Sequence, residues 1–269
     1  MIVDRVKSAL PIEGIPVFDC HGHLGRWPLT HMPGHTIEAT IATLDRLGID
    51  RLCLSPFWGC FCDFVRGNDA LGAAVARYSD RLIGQITVNP HYPDEIVPEI
   101  ERCRRLYGVR MLKIHPFCHD YPVDGDGYRP LWEYADQTGT VVLSHTWDSD
   151  KTCSPELFAT IAARYLRARV ILAHAGGTQR GCRQAIDVVK KHGGLYLDTA
   201  TSHFHVGMIE RFVREVGADR VLFGSDVPLL DPAAPLGRIA YARIGEAQKE
   251  KILGLNLRGL LDDCGGRPQ

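Results

Sequence analysis

Two histidines one residue apart, His21 and His23, close the apolar run Val17-Phe18-Asp19-Cys20. In a β-strand side chains alternate faces, so the two imidazoles point the same way, with Cα atoms roughly 6–7 Å apart. That gap lets both nitrogens reach one cation at about 2.0–2.1 Å. Gly22 between them leaves the backbone free to bend. Further along, His145 closes Val-Val-Leu-Ser-His, His174 closes Val-Ile-Leu-Ala-His, and Asp226 closes Leu-Phe-Gly-Ser-Asp. Lys113 and His115 close Met-Leu-Lys-Ile-His, and Asp198 closes Leu-Tyr-Leu-Asp. Each alone has an ordinary explanation: a satisfied polar residue at a strand end, a lysine stem lying along apolar surface, a carboxylate capping a turn. Gathered at one place they do not, because imidazoles and carboxylates in a low-dielectric bowl are costly unless a cation pairs them. The expected centre is a divalent metal. Imidazole nitrogen with one carboxylate puts zinc first, with Fe²⁺, Mn²⁺ and Co²⁺ as alternatives. An open coordination position would let a bound water lose its proton near pH ~7.

For these residues to meet, the elements carrying them must bring every strand end to one rim. Short, nearly continuous apolar runs recur after the first, at 51–55, 82–89, 109–115, 140–145, 170–174, 195–199 and 221–226. Such runs suit parallel strands buried on both faces. Amphipathic stretches lie between them. The one at 36–47 starts on a Thr cap, carries Ile37, Ile41, Leu44 and Leu47 at helical spacing and stops at Gly48. Helices are expected also at 68–78, 94–106, 129–138, 155–166, 183–192, 208–216 and 246–261. Strand–helix units repeated about eight times, without a linker-like stretch, predict an α/β fold: one (β/α)8 TIM barrel as a single domain over 1–269. An open doubly wound sheet would usually show a G-x-G-x-x-G turn after the first strand, and none is present. Barrels carry their chemistry at the C-terminal ends of the strands.

Composition narrows the partners. The 269 residues have a net charge of −1, 45% hydrophobic and 23% charged content. That balance gives no electrostatic reason to expect nucleic acid or an anionic membrane. No apolar stretch approaches the roughly 18–20 residues that span a bilayer. Asp4, Arg5 and Lys7 precede no long apolar core, so no signal peptide is expected. Nine scattered cysteines, an odd number, suggest reduced thiols and a cytoplasmic protein. Cys60 and Cys62, with Cys53 nearby, lack the second pair that a zinc knuckle needs, and read as small buried or loop residues.

The chain resembles the amidohydrolase superfamily, specifically the amidohydrolase-related group of metal-dependent hydrolases and decarboxylases. The likeness is carried by Asp-Cys-His-Gly-His-Leu-Gly, Lys-Ile-His-Pro, Leu-Ser-His-Thr-Trp, Ala-His-Ala-Gly-Gly and Leu-Phe-Gly-Ser-Asp-Val-Pro. It implies His21, His23 and His145 as metal ligands, and Asp226 as ligand or metal-side base. His174 would lie beside a single ion and move protons, or bind the second ion of a two-metal site. Lys113 stands where two-metal members carry a carboxylated bridging lysine, yet many single-metal relatives carry Lys-x-His-Pro without one. One ion is expected rather than two, with Lys113 an ammonium held off the metal, paired with Asp198 or a substrate carboxylate.

The expected activity is metal-assisted hydrolysis of a small amide, ester or lactone, with Asp226 and His174 as general acid–base partners. The alternative is non-oxidative decarboxylation of a small aromatic or enol acid, its carboxylate held by Arg26 or Lys113. A metal-binding protein without activity is a third class. Asp19 either orients a ligand imidazole or bonds backbone. Pocket walls are expected from Arg26, Trp27, Phe57–Phe61, His119, Tyr121, Trp147, Asp148, His203 and His205, with Trp147 a substrate contact. The aromatic stretch Phe57–Phe61 is also a candidate contact of a homodimer.

Overall fold

The computed structural model describes residues 1–32 and 34–263; the end of the single domain expected over 1–269 therefore lies outside the described residues. Eight parallel strands form one sheet in sequence order: β1 Phe18–Leu24, β2 Arg51–Pro56, β3 Leu82–Thr87, β4 Met111–Ile114, β5 Val141–His145, β6 Arg169–Ala173, β7 Leu195–Asp198 and β8 Val221–Leu222. Backbone bonds from the chain just after β8 close the ring against β1: Cys20 N–H to Phe223 O (2.9 Å), Asp226 N–H to His21 O (2.8 Å) and His23 N–H to Val227 O (2.7 Å). The expected TIM barrel is the observed one.

The intervening helices form where their caps and apolar faces say they should. Thr36 accepts the Ala39 N–H at 3.2 Å, and Gly48 ends that helix in the left-handed region at φ 74°. The helix expected at 68–78 begins earlier, at Phe64, because Asp63 caps it through the Arg66 N–H at 2.9 Å. The helix expected at 246–261 is interrupted by a π-turn over Lys251–Leu255, where Gly254 lets the chain press against the Pro16 carbonyl. Among the described residues four α-helices escape the pattern: Ile2–Lys7, Phe57–Phe61, Pro116–His119 and Ala233–Tyr241. The first three are too short to carry an amphipathic repeat.

Two apolar layers hold the barrel. Leu52, Leu54, Ile86, Leu112, Val142, Val170 and Leu197 pack outward against the helices. Cys20, Cys53, Met111, Leu143, Ile171 and Leu222 fill the interior together with Leu257 and Leu260 of the last helix. Among the described residues no helix is long and apolar enough to cross a membrane.

One irregularity decides the site. Strict alternation would send Cys20 and His21 to opposite faces. A bulge between Asp19 and Gly22, where β1 slips against β2, places Cys20 in the interior cluster and still turns His21 and His23 toward the rim. Gly22 takes the outward position, where a Cβ would lie 2.6 Å from Leu52 Cδ1.

Candidate metal centre and its cavity

The rim at the C-terminal ends of the strands gathers His21, His23, Lys113, His115, His145, His174 and Asp226 around one cavity of about 430 Å³. Neither His174 nor Asp226 is reached by a continuing strand. His174 (φ 61°) and Asp226 (φ 67°) both sit in the left-handed region, just past β6 and four residues past β8. Positive φ at non-glycine residues is strained backbone that the surrounding structure must hold in place, and it collects at functional sites. The strand expected over 221–226 stops at Leu222, because the Phe223 N–H turns instead to Ile252 O.

The donors converge. His23 Nε2 lies 3.0 Å and His21 Nε2 3.5 Å from the same oxygen, Asp226 Oδ1. His21, His23 and Asp226 thus offer three ligand atoms within 4.8 Å of one another, as do His21, His174 and Asp198. Each imidazole is held from behind. His21 Nδ1 donates to Asp198 Oδ2 at 2.7 Å, which leaves the Nε2 lone pair facing the centre. Ser55 Oγ lies 3.1 Å from His23 Nδ1 and can serve either tautomer. His174 Nδ1 bonds Ala200 O, while its Nε2 lies 3.1 Å from His145 Nδ1. This donor set, neutral nitrogens and one carboxylate, fits a divalent cation.

The sequence expectations divide here. Asp198 holds the His21 ring, and Asp19 takes the backbone-bonding alternative: its Oδ1 accepts the N–H groups of His21 and Ser225, both at 3.0 Å. Lys113 does not pair with Asp198. Its Nζ points at the centre itself, 3.0 Å from His21 Nε2, and is 1% exposed. His145 stands one ring further out, bonded to His174 and stacked on His115 at 4.0 Å, outside both converging groups. Trp147 lines the cavity, parallel to His145 at 6.2 Å. Arg26, one of the two residues expected to hold a substrate carboxylate, is exposed and outside the cavity lining, although its neighbour Trp27 lies on the wall. His119, Tyr121, Asp148, His203 and His205 are not on the wall either. Sequence reasoning missed Ser55 behind His23, and Phe117, Ser149, Asp150, Ser202, Leu229 and Leu230 on the wall; no local pattern marks them.

Burial sets the charges. It pushes His23 down to about 4 against the bond from Asp226, and holds His21, His115 and His145 well below the ordinary imidazole value. Burial alone would raise Asp226, but His23 and His174 outweigh it and keep the carboxyl below its ordinary value. Burial pushes Asp19 up to about 7. These directions set an acid limit for the metal-free protein. An imidazole whose folded pKa lies below its unfolded value of about 6.5 leaves the unfolded chain binding more protons in between. Stability is therefore lost as pH falls from about 6.5 through about 4, and His23 alone costs roughly 3 kcal/mol by pH ~4. Asp19 and Asp198, whose carboxyls burial pushes up, act in the opposite sense, since the folded chain keeps their protons to a higher pH, but the imidazoles outnumber them. We expect the Tm of metal-free protein to fall on the order of 10 °C between pH ~7 and ~4.5 in thermal circular-dichroism scans. A flat profile would contradict a neutral histidine cluster.

A family model described as Amidohydrolase matches residues 18–262. Among solved structures, a putative amidohydrolase from Staphylococcus aureus superposes with a TM-score of 0.76 at 17% identity, over 92% of this chain and 100% of the other. A dihydroxybenzoic acid decarboxylase from Polaromonas sp. with bound manganese and the inhibitor 2-nitroresorcinol gives 0.73 at 18% identity, over 95% and 98%. A 5-carboxyvanillate decarboxylase from Novosphingobium aromaticivorans, complexed with manganese and a nitrobenzoic acid, gives 0.73 at 17%, over 93% and 97%. At these identities the likeness is one of fold.

Proposed function

This chain belongs to the amidohydrolase family, and we propose that it is a metal-dependent decarboxylase of a small aromatic carboxylic acid. This reverses the order of the sequence reading, which put hydrolysis first. The strand-end pattern serves both chemistries and cannot rank them. The cavity supplies what the pattern lacks. Trp27, Phe57, Phe117, Trp147, Leu229 and Leu230 line it, and among the described residues Lys113 is the only lysine or arginine in that lining. A wall of flat rings around a single buried ammonium suits one planar ring bearing one carboxylate, and this is the observation that carries the reading. The two manganese-containing structures of similar fold, both decarboxylases, support it.

The chain's residues then have distinct tasks. His21, His23 and Asp226, with His145 or His174 nearby, would hold the cation, and Mn²⁺ stands beside Zn²⁺ as its proposed identity. When bound, the cation supplies a Lewis acid for a substrate oxygen. Phe57 stacks on His23 at 4.0 Å and 12°, and Trp27 meets Phe57 edge-on at 5.3 Å, so these rings wall off water and fix the plane of a bound ring. Exclusion of water favours loss of carbon dioxide, since a localised carboxylate charge becomes a dispersed one. The carbon that loses carbon dioxide gains one proton. Asp226, ionised at rest, is assigned to take that proton from solvent by way of the hydrogen-bonded pair His174–His145 and to pass it to the carbon. Hydrolysis remains the second reading, because the same pair beside Asp226 could pass a proton from water to a leaving group. The test is carbon dioxide release with Mn²⁺ or Zn²⁺ across hydroxybenzoates, alongside a panel of esters, lactones and amides. Carbon dioxide without net water consumption is expected. Turnover of the second panel alone would replace decarboxylation by hydrolysis.

A further inference from the structure

His115 has no task in the account above, and its surroundings are unlike those of the other rim histidines. His21, His23 and His174 each have both ring nitrogens within hydrogen-bond distance of a protein atom, and His145 has one. His115 has neither: its Nδ1 is buried without a partner, and no described residue bonds its Nε2. Stacking holds the plane of the ring. It is stacked on His145 at 4.0 Å and 12°, with Trp27 at 5.7 Å on another side. Its carbonyl is tied to the His119 N–H at 3.2 Å, in the turn Pro116–His119. Buried polar groups are rarely left unpaired without a reason. The residue lines the cavity at 5% exposure, two positions beyond Lys113 on the same wall.

Resting on the aromatic-acid reading, we infer that His115 is a specificity-determining residue that pairs with a neutral hydroxyl on the substrate ring. A neutral imidazole offers one N–H donor and one lone pair, and a hydroxyl offers the matching acceptor and donor. A carboxylate only accepts, and Lys113 and the metal centre serve it better. The acid is thus held at one point by charge and at a second by hydroxyl recognition, which fixes its in-plane rotation. A site built to bond a hydroxyl discriminates against an analogue that lacks it.

The experiment compares wild-type protein with His115→Phe, which keeps a flat ring in the stack and removes both nitrogens. Dissociation constants for 2-, 3- and 4-hydroxybenzoate and their methyl ethers are read from quenching of tryptophan fluorescence, with Mn²⁺ saturating. Wild-type protein should bind at least one hydroxybenzoate about tenfold more tightly than its ether. That preference should vanish in His115→Phe while affinity for the ether holds. His115→Gln, with its own donor and acceptor, should recover part of it and guards against misfolding of the Phe variant. The inference fails if His115→Phe keeps the preference, if it weakens acid and ether alike, or if wild-type protein prefers no hydroxyl in any pair. Carbon dioxide is assayed separately. A hydroxyl preference lost in His115→Phe, without carbon dioxide from any acid, would overturn the decarboxylase reading and leave His115 in place.

Discussion

Asp226→Asn should lower turnover by about 10³-fold or more while the protein stays folded. Asp226 Oδ1 is the oxygen on which His21 and His23 converge, so the amide removes the only negative charge within that group. Asparagine is the informative replacement because the residue sits at φ 67°, a conformation that Asp and Asn tolerate and branched residues do not. Backbone strain is thereby kept out of the comparison. Metal content per chain should fall with activity, measured by elemental analysis after dialysis, and the far-ultraviolet dichroism should match wild type. Full metal content with undiminished turnover would remove Asp226 from the centre.

Lys113→Met should separate activity from stability. The ammonium is buried, and burial lowers its pKa, so the fold bears the cost of keeping a cation from water. Its hydrogen-bond partner is a single imidazole nitrogen, His21 Nε2. Exchange of such a buried charge for an apolar side chain of similar volume is often neutral, or stabilising by about 1–4 kcal/mol. We expect an unchanged or higher Tm, by a few degrees, with kcat/KM down about 10²-fold through loss of the group proposed to hold the substrate carboxylate. Metal content also distinguishes the two forms of this lysine. An ammonium predicts one equivalent in wild type and variant alike. A carboxylated bridge predicts a fall from two to one, and reconstitution of wild type that depends on bicarbonate. A variant that is less stable yet fully active would reverse the assignment.

Much of the frame is written locally. The apolar runs that become β2 to β7, the Thr36 cap and the Gly48 stop are read from neighbouring residues, because strand period, capping and left-handed glycine act over a few positions. Placing His21, His23, His174 and Asp226 on one rim needed only the further rule that parallel barrels bring strand ends together. Local pattern failed where a partner distant in sequence takes over. Asp19 precedes His21 by two residues, and sequence left it open between orienting that ring and bonding backbone; it bonds the backbone of His21 and of Ser225, 206 positions away, while Asp198 holds the His21 ring from 177 positions away. Arg26 follows the ligand strand closely, but its loop turns it to solvent.

The residue types at the centre, and the order in which strands deliver them, were therefore determined by the amino-acid sequence alone. Tertiary structure decided which atoms face one another: the slip in β1 that lets Cys20 and His21 share a side, the left-handed turns at His174 and Asp226, and the unpaired ring of His115. The reason is physical. Period and propensity are set by a residue and its near neighbours, whereas a bulge, a strained turn or an orphaned nitrogen exists only where chain from elsewhere closes around it.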